Sequence, residues 1–399
     1  MDTDTRAAST RTARFGFAFI GVLLIAVNLR VSFVSVGPVL DNISSDLELT
    51  SAAAGFLTGL PLIAFAVFSP VAPAFASRVG LDRALWFSLL ILAAGIILRS
   101  LPIPGLIWVG TALIGTAIAF LNVLVPSLVK RDFPNRVSQV TGSYTATQAA
   151  FAALGAAVVV PVAQTSPAGW RLALGIWAGL ALIALAVLLP WLRRHAANRP
   201  AQRQGEAAYR SPWKSALGWQ VTLFMGLQSI AFYVLMAWLP TIEQSRGVSA
   251  ATAGVHLSVF LLVSVFASLG AGALLHRGSD QRLIAVVTSA LTFVTFAGLA
   301  LAPALTLLWV LAGAVGCGFL IVIALSLFSL RTVNYPQAAA LSGMAQSVGY
   351  GLGAAGPVLF GALRDLSGDW TLPLLTTAVI MIALCVAAWL AGRNRVIGA

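Results

Sequence analysis

Twelve apolar runs, each of about 20 residues and so long enough to cross a hydrocarbon core as a helix, occupy this chain almost from end to end. They lie near residues 15–37, 52–76, 84–101, 106–129, 137–163, 172–192, 216–239, 251–275, 283–301, 305–330, 338–363 and 372–391. Such runs fold as helices, because a membrane barrel is built from short strands of alternating polarity. A water-soluble fold is excluded as well. With 59% hydrophobic and 9% charged residues, there are too few charges to cover a water-facing surface. The expected fold is an all-α membrane protein of twelve transmembrane helices in the lipid bilayer.

Basic residues set its orientation. Arg6, Arg11 and Arg14 of an N-terminal tail (1–14), then Arg78 and Arg83, Lys130 to Arg136, Arg193 to Lys214, Arg277 and Arg282, Arg331, and Arg393 and Arg395 of a C-terminal tail (393–399) fall in alternate connections. The other connections hold only Arg99, Arg171, Arg246 and Arg364. The positive-inside rule then places both tails in the cytoplasm, in a multi-pass protein of the cytoplasmic (inner) membrane. The same bias accounts for the net charge of +12 without any nucleic-acid partner. The polar stretch 193–215 reads as a cytoplasmic linker between two six-helix bundles, 15–192 and 216–392.

The two halves repeat each other. Pro38 matches Pro240, Ala54-Gly55 matches Ala253-Gly254, Phe133-Pro134 matches Tyr335-Pro336, and Val140-Thr141-Gly142 matches Leu341-Ser342-Gly343, each pair half a chain apart. Pseudo-symmetric bundles of this kind bind solute between them near the bilayer midplane. A channel or a polytopic sensor is the competing class, but it would need a continuous pore or a soluble signalling domain.

Polar residues inside the runs are the candidate solute site. Arg30, central in the first run, reads as the only full charge at membrane depth, and a guanidinium there faces a water-filled path or an anionic partner. Asn28 lies on another side of the same helix, and Asn122 stands just before Pro126. Tyr144 and Gln148 share one helical face, as do Gln346 and Tyr350, and Gln228 is centred in the seventh run. Interhelical hydrogen bonding on small-residue seams is the structural alternative for each.

His256 is the candidate for proton coupling, being the only group at membrane depth that titrates near neutrality. No Asp or Glu falls inside the twelve runs, so a coupled proton would ride on His256, on the solute or through water, and the pH dependence is expected to survive His256→Gln. Metal-ligand clusters and catalytic triads are not visible, and neither is a nucleotide loop: Gly349-Tyr350-Gly351-Leu352-Gly353 lies inside a run with no strand before it. Cys317 and Cys385 read as packing residues.

The runs Asn28-Leu29-Arg30 with Val36-Gly37-Pro38, Leu57-Thr58-Gly59-Leu60-Pro61, Asn122-Val123-Leu124-Val125-Pro126 with Lys130-Arg131-Asp132-Phe133-Pro134, Gly226-Leu227-Gln228-Ser229, and Ser342-Gly343-Met344-Ala345-Gln346 make a specific combination. Nearly the whole chain resembles the cyanate and 2-nitroimidazole transporter family of the major facilitator superfamily. The resemblance implies a monomeric secondary transporter, not an enzyme, that alternates between inward and outward openings without a bound cofactor. Its cargo would be a small anion such as cyanate or, alternatively, a neutral nitroimidazole-like or drug-like compound moved outward. It also implies a cytoplasmic gate at Arg78, Arg83 and Arg277. There this chain departs from the superfamily pattern, because Ser77 stands where an aspartate belongs.

Overall fold

A computed structural model describes residues 16–165, 169–196, 209–276 and 278–398. The N-terminal tail 1–14, the middle of the linker and Arg277 lie outside the described residues, among which no strand occurs. The first expected span is a helix over 16–28 (α1), followed after Leu29 and Arg30 by α2 (Val31–Val34), a 3-10 turn (Gly37–Val39) and α3 (Leu40–Asp46). The second is α4 (Ser51–Phe68) and α5 (Ala72–Val79), bent by 61°. Then come α6 (Leu81–Ser100), α7 (Leu106–Asp132), α8 (Val137–Thr165), α9 (Gly169–Gly175) and α10 (Ala178–Ala196). The second half holds α11 (Ala216–Gln244), α12 (Ala250–Leu275), α13 (Arg282–Leu301), α14 (Thr306–Leu330), α15 (Tyr335–Ser367) and α16 (Thr371–Ala391).

Among the described residues ten segments are long and apolar enough to cross a membrane, and the bent pair makes an eleventh. The remaining expected run, 338–363, lies within α15, which is 33 residues long and carries Gln, Ser and Gly among its apolar residues. Helix starts are set by side-chain caps. Thr50, Ser215, Ser249 and Asn334 each accept a hydrogen bond from the backbone N–H three residues on, satisfying a donor that a helix start leaves orphaned. Between α5 and α6 the chain turns at Gly80 with φ +93, a conformation that residues with a Cβ rarely adopt.

The chain divides into two compact units: one takes the chain up to Pro134 and again Thr147–Ala208, the other takes Asn135–Ala146 and everything from Tyr209. In the first, Val36, Val39, Ile43, Leu57, Ile107, Val159, Trp170 and Leu174 form one buried cluster. There α6 and α7 meet closely, and a Cβ built on Gly110 would lie 2.5 Å from the Arg99 backbone nitrogen. In the second unit α11 packs on α15 along Gly349, Gly353 and Gly356, which share a helix face. Gly351 points away into open space, so the glycine-rich stretch serves close approach of helices, as expected. Large apolar side chains such as Phe56, Ile97, Leu182, Leu262, Phe266 and Val379 stand exposed, as lipid-facing residues do.

Candidate functional site

The first span is interrupted at the residue that carries its charge. Arg30 sits in a turn between α1 and α2 with φ −129 and ψ −29, and its carbonyl accepts from Phe33 and Val34 to start the next helical segment. Interrupted backbone at membrane depth persists only where protein covers it or where it lines a cavity. Arg30 itself is half-buried. Asn28, one turn earlier, is 1% exposed and its amide donates to Leu24 O at 2.8 Å and to Leu180 O at 3.4 Å, tying α1 to α10.

Asn122 is half-buried on α7, four residues before Pro126, whose ring displaces the carbonyl at that distance. Tyr144 is buried and lies within electrostatic reach of Tyr350, so the structure brings these two expected site residues together. Gln346 is buried and its amide donates to Ser342 Oγ at 2.8 Å. Gln148 is also buried, in the part of α8 that belongs to the first unit. Gln228 hydrogen-bonds along its own helix, to Met225 O at 3.1 Å and to Ser229 Oγ at 2.9 Å.

Two readings from sequence need correction. Arg30 is not the only charge at membrane depth: Arg99 on α6 is 1% exposed, its Nη1 donates to Ser32 O at 2.8 Å, and its Nε and Nη2 find no acceptor in the protein. The signal was present, since Arg99 lies inside the run 84–101 rather than in the connection after it. Nor are the spans free of carboxylates. The seventh does not stop at Pro240; α11 continues to Gln244, and Glu243 in its last turn is buried, with Oε1 2.8 Å from His256 Nδ1. Helix-spaced burial of Leu239 and Ile242 is the pattern that marks this continuation.

Each half also holds an arginine clasp, half-buried in the first and buried in the second. In the first, Arg131 at the end of α7 forks onto Asp82 with two bonds of 2.8 Å and also pairs with Asp132 at 2.7 Å. In the second, Arg331 just after α14 binds Gln281, Ala391 O at 2.9 Å and Gly392 O at 2.8 Å. The partners are 49 residues apart in one half and 50 in the other, so the duplication is visible in geometry as well as in sequence. Burial pushes the Arg331 guanidinium down to about 10, while hydrogen bonds from Arg282 hold the exposed Asp280 carboxyl below its usual range. Of the expected gate residues, Arg78 is exposed in the last turn of α5 and Arg83 is half-buried in the first turn of α6. Ser77 donates only within its own helix, to Ala74 O. Arg277 lies outside the described residues.

The sequence profile of the Major Facilitator Superfamily matches residues 18–355. The chain belongs to the major facilitator superfamily. This transporter is 43% identical over 376 residues to the 2-nitroimidazole transporter of Escherichia coli (strain K12), spanning 94% of this chain and 95% of the relative. It is 27% identical over 371 residues to the cyanate transport protein CynX of the same organism, spanning 90% and 94%. Among solved structures the proton:xylose symporter XylE superposes with a TM-score of 0.79 at 12% identity, over 97% of this chain and 98% of the other, a likeness of fold alone. The twelve-helix fold expected from the apolar runs is that of the superfamily, and the protein is a multi-pass membrane transporter.

Proposed function

We propose that this transporter moves a small anion or anion-like polar molecule, of the size of cyanate, across the cytoplasmic membrane by alternating access. The observation that carries this reading is the break in the first span at Arg30. A permanently charged guanidinium, placed where the helix is unwound, supplies a fixed positive charge and several N–H donors to a small anion, and cyanate can accept from them at its terminal oxygen or nitrogen. Transporters of this architecture build midplane sites from such discontinuous helices. We assign Asn28, Asn122, Tyr144, Gln148, Gln228, Gln346 and Tyr350 to solute binding, in a chain of two six-helix bundles, 15–192 and 216–392. The transporter acts as a monomer with both termini cytoplasmic, and Arg78, Arg83 and Arg277 belong to the cytoplasmic gate.

A second reading is efflux of a neutral nitroimidazole-like compound. Its support is the 43% identity to a 2-nitroimidazole transporter, and a nitro group offers a guanidinium fork a pair of oxygens. Uptake of radiolabelled cyanate and of 2-nitroimidazole into liposomes holding the purified protein separates the two. Saturable cyanate flux with none for 2-nitroimidazole supports the anion; the opposite result replaces it, and flux of neither removes both.

A further inference from the structure

Buried Glu243 and half-buried His256 form a pair that the solute assignments above do not use. Glu243 lies in the turn that α11 adds beyond Pro240, is 1% exposed, and reaches His256 on the next helix through a 2.8 Å contact from Oε1 to Nδ1. Its second oxygen, Oε2, is buried and meets no donor in the protein. The turn is held by the Glu243 carbonyl, which accepts from Arg246 N and Val248 N, while Ser249 caps α12 below His256. Both members of the pair thus stand on ordered backbone.

A buried carboxylate with one unmatched oxygen is costly while ionised, and the cost is removed when the carboxyl takes up a proton. The imidazole allows this without breaking the link between the helices. With Glu243 ionised, Nδ1–H donates to Oε1; with Glu243 protonated, its O–H donates to Nδ1. Charge at the site then changes by one unit while the strap between α11 and α12 stays closed.

Few other charges compete. Arg246 reaches Glu243 electrostatically from the end of its own helix. Beyond His256, α12 carries no Asp, Glu, Lys or Arg; α14 and α16 carry none either. At the far end of α15, Arg364 is paired to Asp365, and Asp369, before α16, accepts from Thr371 N.

We propose that Glu243 is a proton-binding carboxylate of the transport cycle and that His256 is the residue that positions it. The step forms one O–H bond on the carboxylate from an aqueous proton and breaks the same bond on release, with no change of oxidation state. It rests on the transporter reading above, and deepens it by naming where a driving proton binds.

The test uses the full-length protein in liposomes, in two measurements. Infrared titration should show a protonated-carboxyl band in the wild type that is missing in Glu243→Gln and persists with a moved midpoint in His256→Gln. Accumulation of radiolabelled cyanate or 2-nitroimidazole under an imposed pH gradient should fall in Glu243→Gln to the level seen without a gradient, while His256→Gln keeps its response. Identical infrared titrations in wild type and Glu243→Gln, or gradient-driven accumulation in Glu243→Gln equal to wild type, overturn the proposal. If the Gln variant does not insert, Glu243→Asp decides: a band with a moved midpoint supports the site and an unchanged band overturns it. Should the wild type move neither probe while the band titrates as stated, the proton site stands and the substrate reading falls. Flux indifferent to pH, together with a missing band, leaves transport standing and removes the site.

Discussion

Arg30 and Arg99 are both arginines of the first unit, yet their surroundings give them different work. Arg30 is half-buried at a helix break, whereas Arg99 is fully buried and spends Nη1 on the Ser32 carbonyl two residues beyond that break. Replacing Arg30 by Lys keeps the charge and loses the fork, so one charge-assisted hydrogen bond to the solute is lost. At about 1.5–3 kcal/mol for such a bond, uptake of cyanate or 2-nitroimidazole should drop by roughly 10- to 100-fold at equal insertion. Wild-type uptake by Arg30→Lys would show that the residue serves topology or packing instead. For Gln148 and Gln346 the expectation is a weaker affinity in the Ala variants with little change in protein yield, because side chains on a solute path contact ligand more than neighbouring helices. Binding isotherms of the purified variants check this, and unchanged affinity in both would take them out of the site.

At the scale of elements, the two clasps look alike but differ in what a deletion leaves behind. Arg131→Ala breaks the forked ion pair of Asp82, a carboxylate 3% exposed at the start of α6, and breaking such a pair by removing one partner costs about 3–5 kcal/mol. Arg331→Ala takes a donor from the Ala391 carbonyl and the Gln281 amide oxygen, while Gly392 O keeps the Gln281 backbone N–H; these are neutral acceptors, and the loss costs less, about 1–3 kcal/mol. Thermal unfolding in one detergent should therefore rank the wild type above Arg331→Ala, and Arg331→Ala above Arg131→Ala. Adding Asp82→Asn to Arg131→Ala should recover part of the loss, since the buried group that faced Arg131 is then neutral. A reversed ranking, or a double variant no better than Arg131→Ala, would mean that the charge on Asp82 is not what Arg131 offsets. The clasp also bears on the missing superfamily aspartate: with Ser77 bonded inside its own helix, the ion pairing near this connection runs through Asp82, Arg131 and Asp132.

For the whole molecule, a true solute must stabilise the folded state by mass action, about 2.7 kcal/mol at one hundred times its dissociation constant. A thermal-shift screen over small anions, carboxylates and nitroimidazoles should thus raise the melting temperature for one chemical group, and Arg30→Lys should abolish that rise. A shift that persists in the Lys variant would place the ligand elsewhere. Class, span count, duplication and family were legible in the sequence because each depends on local pattern: a membrane helix satisfies its backbone within itself, so apolar length alone declares it. Run length does not show where a helix breaks or continues, which is why the interruption at Arg30, set between Asn28 tied to α10 and Ser32 held by Arg99, had no local signal. Pro240 misled for the same reason. A proline in isolation ends helices, but here α11 runs one turn beyond it and sets buried Glu243 against His256 of α12. Composition and periodicity therefore determined that this chain crosses a membrane as paired sets of helices. The tertiary structure alone decided which charges are buried and what faces them, because burial and partnership of a charge depend on chain segments that are distant in sequence.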